Sequence, residues 1–156
     1  MISEAAFVET LGLTRVLSFE SKTLPIEVSN TNRPGMQFAN YWDFFPYERP
    51  QLLGKVEMTY LSQLDELTRR ARLAKYFSYP LPCIIICRGY PCFDDMLVLA
   101  AAHKIPVYSS KKETTQLELE LIAYLRNELA PRETRHGVLV NVFGTGLMIT
   151  GNSGVG

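Results

Sequence analysis

The feature that most constrains the fold is a continuous apolar run, Cys83-Ile84-Ile85-Ile86-Cys87, which is followed by the pair Arg88-Gly89. A strand that is apolar at every position is covered on both faces, which is typical of a central strand in a parallel sheet. Parallel neighbours are joined by crossover connections, usually helices. The run therefore predicts an α/β domain whose sheet carries helices on its faces.

The flanking segments predict the other elements of this domain. Helical spacing of apolar residues predicts helices over residues 3–11, 61–77 and 93–103, and another that is capped by Thr114 or Thr115 and ends at Leu129. Short apolar segments predict strands over residues 16–19, 26–28, 56–60 and 105–108. Together they predict a layered α/β fold with a mostly parallel sheet. We expect His103, in the last turn of its helix, to be a capping or surface residue rather than a catalytic one.

The pattern changes at residues 130–135, where a proline and three charged side chains predict a linker. Beyond it, the apolar segments 138–143 and 147–150 flank Gly144-Thr145-Gly146, which is typical of a β-hairpin. We therefore divide the chain into an N-terminal α/β domain at 1–130 and a second unit at 131–156, which comprises the linker, the hairpin and a glycine-rich loop.

That loop has the sequence Gly151-Asn152-Ser153-Gly154-Val155-Gly156 and follows the second apolar segment directly. It matches G-x-x-x-x-G, the opening of the phosphate-binding pattern G-x-x-x-x-G-K-[ST], in which glycines let several backbone N–H groups point at one anion. The lysine, the magnesium-binding hydroxyl and the helix of the full pattern do not follow in this sequence. A glycine-rich tail after a hairpin is the alternative interpretation of the same residues.

The composition argues against nucleic-acid binding, membrane insertion and metal binding as functions of this chain. Sixteen basic and sixteen acidic residues balance, so a broad nucleic-acid surface is not expected. No apolar run has the length of a membrane span, and the N-terminus has an early glutamate and no basic segment, so we expect neither membrane insertion nor a signal peptide. Cys83, Cys87 and Cys92 are expected to be buried free thiols, as in a reducing cytosol. A metal site would need more sulfur or a nearby histidine.

An aromatic block lies within residues 41–50. It comprises Tyr41, Trp42, Phe44, Phe45 and Tyr47. One interpretation is a platform for a base or ring, with Arg33 or Arg49 as an anion partner. The other, which we favour because no repeating basic–aromatic pattern accompanies the block, is a buried anchor or a subunit contact.

Three segments together resemble one family. They read NRPGMQFANYWDFFPYERPQLLG at 32–54, CIIICRG at 83–89 and RHGVLVNVFGTGLMITGNSGVG at 135–156. The chain resembles the bacterial HPr kinase/phosphorylases, which phosphorylate and dephosphorylate a serine of the sugar-transport phosphocarrier HPr. The last segment is the most specific, because a histidine-glycine pair, a hairpin and a phosphate loop occur there in the family's order and spacing.

The resemblance implies an N-terminal α/β domain similar to a Mur ligase domain, and then a β-hairpin that opens a P-loop kinase domain. It places Gly151 to Gly156 on the first six positions of a Walker A loop, and His136 on the histidine near the phosphate site. It implies ATP and magnesium as cofactors, HPr as partner, a homo-oligomer, a bacterial cytoplasmic location and a role in carbon catabolite regulation. The remaining catalytic residues have no counterpart in this sequence, so the chain by itself is expected to bind neither cofactor and to transfer no phosphate.

Alternatives remain at this stage. On residues alone, His136 could merely pack at the start of the hairpin. The N-terminal domain could be a non-catalytic module for ligand sensing or oligomer assembly, with the aromatic block and the loop at 32–35 as its working surface. An unrelated small phosphate-loop protein is disfavoured, because such enzymes need strands and helices after the loop.

Overall fold

The computed structural model describes residues 1–131, and six strands and six helices lie within that range. The strands are β1 (Ile2–Ser3), β2 (Thr14–Leu17), β3 (Thr23–Leu24), β4 (Gln51–Leu53), β5 (Ile84–Ile86) and β6 (Val107–Ser109). The central sheet has the order β2-β6-β5-β4, while β1 and β3 pair separately as a small antiparallel sheet. In the central sheet β4, β5 and β6 are parallel and β2 is an antiparallel edge strand. A mostly parallel sheet is thus confirmed.

The helices cover both faces of the central sheet. They are α1 (Glu4–Leu11), α2 (Gly35–Phe38), α3 (Lys55–Gln63), α4 (Glu66–Phe77), α5 (Asp94–Ala102) and α6 (Thr114–Leu129). Buried side chains of α1 and α6 pack with Cys83, Ile85 and Cys87 in one core. Buried side chains of α3, α4 and α5 pack with Ile84 and Ile86 in the other. None of the helices within residues 1–131 has the length and apolar character needed to cross a bilayer.

The apolar run at 83–87 has the predicted position. Its strand β5 lies between β4 and β6, with Ile84 opposite Gln51 on one side and Val107 on the other. All five residues of the run are buried, and alternate side chains enter the two cores. The need to bury both faces therefore explains why this segment carries no polar side chain.

Helix predictions are confirmed at α1, α5 and α6. Ser3 accepts a hydrogen bond from the Ala6 N–H at 3.3 Å as the N-cap of α1. His103 is exposed and is the C-cap residue of α5, as expected. The residue before α6 is Glu113, so Thr114 is its first helical residue rather than its cap.

Other predicted boundaries are wrong. Residues 56–60, predicted as a strand, lie in α3, and the strand at this point is β4, three residues long. The predicted helix 61–77 is two helices, because Leu64 leaves the helical conformation and Asp65 caps α4 through a 2.9 Å bond from the Thr68 N–H. The strands predicted at 16–19 and 26–28 lie at β2 and β3 instead. The predicted linker, hairpin and phosphate loop at 132–156 lie outside the described residues.

A buried carboxylate ties the N-terminus to the sheet. Glu4 accepts hydrogen bonds from Arg15 at 2.7 and 2.9 Å and from the Tyr108 hydroxyl at 2.8 Å. The Arg15 guanidinium lowers the pKa of Glu4 below its ordinary value of 4.5, against the opposing effect of burial and with the help of the Tyr108 hydroxyl. Burial and the neighbouring carboxylate raise the pKa of Tyr108.

We expect Glu4→Gln to lower the free energy of unfolding by about 1–2 kcal/mol near pH 7, because it removes charge-assisted hydrogen bonds. The lowered pKa means that the Glu4 contribution is present above pH 4.5 and is lost as the pH falls through the folded-state pKa. The difference in free energy of unfolding between the original chain and Glu4→Gln should therefore shrink in acid. Urea unfolding of both proteins, from neutral pH to below pH 4.5, measures this difference. Glu9→Gln, an exposed position on the same helix, is the control. A difference that does not depend on pH would contradict the assignment.

Candidate functional site

Neither part of the predicted phosphate site can be placed in the structure. His136 and the loop Gly151 to Gly156 both lie outside residues 1–131, so their assignment stays a prediction. The predicted working surface of the N-terminal domain, the loop at 32–35 with the aromatic block, does lie within the described residues. The 32–35 loop adjoins the end of the sheet at which the parallel strands finish, through the ion pair of Arg33 with Glu57. The aromatic block instead precedes β4 and packs on Tyr76 and Tyr79, before β5 begins.

The three parallel strands end level with one another. The Cys87 N–H donates to the Leu53 carbonyl at 2.8 Å, and the Ser110 N–H donates to the Ile86 carbonyl at 2.9 Å. The residues that follow each strand therefore meet along one edge. In open α/β sheets, ligands bind outside the carboxyl ends of the strands. This edge is the candidate functional site, and we call it the carboxyl edge.

A buried carboxylate organises one end of the carboxyl edge. Glu57, in the first turn of α3, is 4 % exposed, and its Oε1 lies 2.7 Å from the Gly54 N–H and 3.1 Å from Arg33 Nη2. Arg33 is exposed, so one end of this ion pair is in contact with solvent. The pair joins the 32–35 loop to the start of α3.

The start of α6 packs closely against Gly54, the residue that follows β4. Thr114 is 4 % exposed, and its Oγ1 is buried without a hydrogen-bond partner that meets normal geometry. A Cβ built on Gly54 would lie 2.1 Å from that oxygen. The glycine therefore lets α6 approach the end of β4, and no larger residue fits without displacement of the helix.

The cysteines are inert at neutral pH. All three are free thiols, as the sequence predicted, and Cys83 and Cys87 are buried. Cys92, also predicted to be buried, is only partly so. Burial raises the pKa of Cys87 to about 11, although the Thr114 hydroxyl and the Arg33 charge act in the opposite direction. Burial and two aspartates raise the pKa of Cys92 to about 12. Because the thiolate is the nucleophile, these cysteines are not catalytic candidates. Residues 1–131 contain no group of three or more histidine, cysteine or acidic side chains suited to a metal ion.

Beside the joined loops after β5 and β6, the carboxyl edge has a cleft that is lined by residues 109–112, by Gly12 and Thr14, and by Gly89. Arg88 and Gly89 both have positive φ, 60° and 68°, and their N–H groups donate to the carbonyls of Lys112 and Ser110 at 2.9 and 2.8 Å. A positive φ at arginine is strained, and such strain persists only where surrounding contacts hold it. The two loops are thus fixed against each other, and a cleft of about 520 Å³ lies beside them.

The aromatic block is partly an anchor and partly an exposed surface. Phe45 is buried against Tyr76 and Tyr79, which supports the anchor interpretation. The Trp42 ring stacks on Tyr79 with its centroid 5.9 Å away, and the Lys75 ammonium lies 5.1 Å from the Trp42 centroid. These internal contacts occupy the ring that a ligand platform would offer.

Phe44 is the most exposed ring of this block. It is 97 % exposed and has a φ of 60°, so a strained backbone holds a large apolar ring in solvent. Tyr41 is also exposed, at 47 %. An exposed ring on a base of packed aromatic residues is typical of an interaction surface rather than of a core.

Comparison with known proteins decides the family. The family model described as HPr Serine kinase N terminus matches residues 3–125. The chain belongs to this HPr kinase N-terminal family. The matched region includes the aromatic block, the carboxyl edge and nearly all of both cores.

Curated relatives of the HPr kinase N-terminal family carry the name HPr kinase/phosphorylase. The one from Alkaliphilus metalliredigens is 42 % identical over 155 residues, which is 99 % of this chain and 50 % of the relative. The one from Lactobacillus gasseri is 44 % identical over 131 residues, 84 % of this chain and 41 % of the relative. The one from Clostridium perfringens strain 13 is 38 % identical over 141 residues, 90 % of this chain and 46 % of the relative. The chain thus spans about half the length of the curated relatives it matches.

A solved structure shares the fold at low sequence identity. It contains the CBS and DRTGG domains of the regulatory region of Clostridium perfringens pyrophosphatase, complexed with the activator diadenosine tetraphosphate. The match has a TM-score of 0.54 and 15 % identity, and it covers 77 % of this chain and 46 % of that one. At this identity the likeness concerns the fold alone.

Sequence reasoning missed the Glu57–Arg33 pair and the cleft. Both depend on contacts between residues far apart in the chain, and the strand predicted at 56–60 concealed the pair. One local signal was available, because Glu57 lies three residues after Gly54, the spacing at which a carboxylate reaches back to the residue before a helix.

Proposed function

We propose that this chain is the N-terminal part of a bifunctional, ATP-dependent protein serine kinase/phosphorylase that acts on HPr in carbon catabolite regulation. The observation that carries the proposal is the family match over residues 3–125, together with relatives named HPr kinase/phosphorylase at 38–44 % identity. The catalytic chemistry is assigned to a domain that begins after residue 130.

In that domain, Gly151 to Gly156 form the first six positions of the phosphate loop, and His136 lies near the transferred phosphate. The loop glycines would present backbone N–H groups to ATP. ATP and magnesium are the proposed cofactors of the whole enzyme, and the magnesium would neutralise charge on the phosphates. The reaction would be in-line phosphoryl transfer, in which positioning and electrostatic stabilisation lower the barrier. His136 would hold or protonate a phosphate oxygen.

The remaining expectations form part of the same proposal. HPr is the partner, the protein is a homo-oligomer in the bacterial cytoplasm, and neither nucleic acid nor a membrane is a partner. The N-terminal fold is proposed to be related to a Mur ligase domain. The sixteen-to-sixteen charge balance supports the absence of a nucleic-acid role.

The proposal is tested with the full-length protein that contains this chain. We expect ATP- and magnesium-dependent transfer of a phosphoryl group to one serine of HPr, and transfer of that group to added inorganic phosphate with formation of pyrophosphate. HPr with the serine replaced by alanine is the control. Failure to label HPr, under conditions in which a curated relative labels it, would contradict the proposal.

A second candidate role, assembly of copies of the chain, is favoured by Phe44. In the monomer, the exposed ring and the strained backbone of Phe44 are both unfavourable. Burial of the ring against a second copy of the chain would offset this cost, because buried aromatic residues contribute strongly to interfaces. The fold shared with a pyrophosphatase regulatory region shows that this architecture also occurs outside catalytic domains.

We expect Phe44→Asn to weaken self-association of the chain by about tenfold or more, because a central aromatic residue carries much of an interface's free energy. The monomer should be at least as stable as before, because asparagine tolerates positive φ and the ring has no buried contacts to lose. Sedimentation velocity measures the first effect and urea unfolding the second. Leu67→Asn, which removes another exposed apolar side chain, is the control. Unchanged association would contradict this role.

A further inference from the structure

The cleft on the carboxyl edge has an unusual lining. It is formed by Gly12, Thr14, Gly89, Ser109, Ser110, Lys111 and Lys112. These residues offer two ammonium groups, three hydroxyl groups and two glycines. No apolar or acidic side chain is among them. Carbon atoms form much of the cleft surface, as in other small-molecule sites, and the ammonium and hydroxyl groups are suited to a charged and oxygen-rich ligand.

The position of the cleft follows from the topology. Strand β2 is antiparallel to β6, with Thr14 opposite Ser109, so the start of β2 lies beside the carboxyl end of β6. The cleft lies between Gly12 and Thr14 on one side and residues 109–112 on the other, and Gly89 also lines it. It is therefore at the end of the sheet at which open α/β sheets bind ligands.

The walls of the cleft are fixed before any ligand arrives. The backbone bonds from Arg88 and Gly89 hold the loop after β5 against the loop after β6. Within the second loop, the Lys112 N–H donates to Ser110 Oγ at 3.1 Å. Gly12 and Gly89 have positive φ, and a Cβ at either would meet no atom within 4 Å, so the glycines serve the turns and the cleft stays open. A preformed site of this kind loses little conformational entropy on binding.

The charge in the cleft is not neutralised by the protein. Lys112 donates to Glu120 and is thereby partly compensated. Lys111 is exposed, and within the described residues 1–131 it forms no ion pair. A lysine ammonium beside hydroxyl donors is complementary to a phosphate, whose oxygens accept several hydrogen bonds at once.

From these observations we propose that the cleft binds the phosphate group of a small phosphorylated molecule. Lys111 supplies the charge, and Thr14, Ser109 and Ser110 supply hydroxyl donors. The volume of about 520 Å³ accommodates a phosphate together with a body of sugar or nucleoside size. This site is a property of the N-terminal domain, is separate from the proposed phosphate loop at 151–156, and does not depend on phosphoryl transfer.

The test is a titration of the ¹⁵N-labelled 156-residue chain with sodium pyrophosphate at constant ionic strength. We expect saturable amide shift changes at Gly12, Gly89, Ser110 and Lys111, with one ligand per chain. Inorganic phosphate should shift the same amides more weakly, since it carries less charge. Absence of saturation up to about 10 mM, the range of the weakest specific binding, would overturn the proposal. Changes confined to residues 151–156 would overturn it too, and would assign phosphate binding to the glycine-rich loop.

Substitutions of Lys111 test whether its charge is the one that binds pyrophosphate. Lys111→Glu should weaken pyrophosphate binding by about tenfold or more, because a charge-assisted contact is replaced by repulsion. Lys111→Arg should bind within about threefold of the original, since its charge is retained. Lys22→Glu makes the same charge change at an exposed lysine outside the cleft and should also stay within about threefold, as residual long-range effects are screened by salt. Equal weakening by Lys111→Glu and Lys22→Glu would show a non-specific charge effect and overturn the site.

Discussion

Replacement of Gly54 with alanine is expected to destabilise the N-terminal domain by about 2–3 kcal/mol, the upper range for an overpacked core. The added methyl group would lie 2.1 Å from Thr114 Oγ1, 3.1 Å from Thr114 Cβ and 2.9 Å from Arg33 Nη2. The Arg33 side chain is exposed and can move, whereas Thr114 lies in the first turn of a helix whose apolar face is buried. The cost is therefore steric, since φ of −110° and ψ of −157° are accessible to alanine.

Urea unfolding of the two proteins measures this effect, and Gly35→Ala is the matched control. A methyl group at Gly35 would meet only Glu57 Oε2 at 3.6 Å, an ordinary contact, and the residue lies in a helix. Gly35→Ala should therefore leave stability unchanged or raise it by up to about 1 kcal/mol. Equal effects of the two substitutions would contradict the steric account.

A double-mutant cycle tests the identity of the obstructing atom. Thr114→Ala removes the oxygen that lies 2.1 Å from the new methyl group. In the Gly54→Ala background it should restore about 1 kcal/mol or more of the lost stability, a coupling typical of residues in direct contact. Additive effects would mean that the cost arises elsewhere. If the coupling is present, the close approach of α6 to the end of β4 is what requires glycine at this position.

The central strand could be predicted because its physical requirement is local. A segment buried on both faces must be apolar at every position, and residues 83–87 show this directly in the sequence. The helix α6 could be predicted for a similar reason, since Leu117, Leu121 and Leu125 recur at helical spacing and all become fully buried. Only its N-terminal boundary was misplaced, by one or two residues.

The segment after β4 could not be assigned in the same way. Val56, Met58 and Tyr60 alternate with polar residues as in a strand, yet they lie in α3. Two features oppose this alternation: the burial of Met58 and Leu61 on one face, which is tertiary, and the local capping bond from the Gly54 N–H to Glu57. With five residues, a period of two and a period of 3.6 are hard to distinguish, so the fold rather than the local pattern determines the outcome.

The candidate site was predictable only in part. The free thiols and the anchoring role of Phe45 follow from residue type and context. The carboxyl edge does not, because it brings together loops separated by tens of residues, and which loops meet depends on the strand order. A phosphate cleft that uses backbone turns and scattered hydroxyls has no sequence motif, in contrast to the glycine-rich loop at 151–156, whose assignment stays a prediction.

Replacement of His136 with alanine in the full-length protein is expected to lower both phosphoryl-transfer activities, from ATP to HPr and from HPr to inorganic phosphate, by well over tenfold. An imidazole titrates near cellular pH, so it can hold or protonate a phosphate oxygen in both reactions. Catalysis by a positioned acid or base typically contributes about 10²–10⁴-fold. Because the same group acts in both reactions, kinase and phosphorylase activities should fall together.

The chain has two histidines, and the other provides the matched control. His103 is exposed at the C-terminal end of α5, so His103→Ala should leave both activities within about twofold of the original, as is usual for surface substitutions. Initial rates with HPr measure the effect, and thermal unfolding of each variant separates lost chemistry from lost structure. Loss of a catalytic proton donor should lower the rates by about tenfold or more. If the rates of the His136→Ala enzyme stay within a factor of about two of the original, the assignment is excluded. A fall in activity matched by a fall in melting temperature would instead support the alternative in which His136 packs at the start of the hairpin. Selective loss of activity with unchanged stability is the result that places His136 at the transferred phosphate.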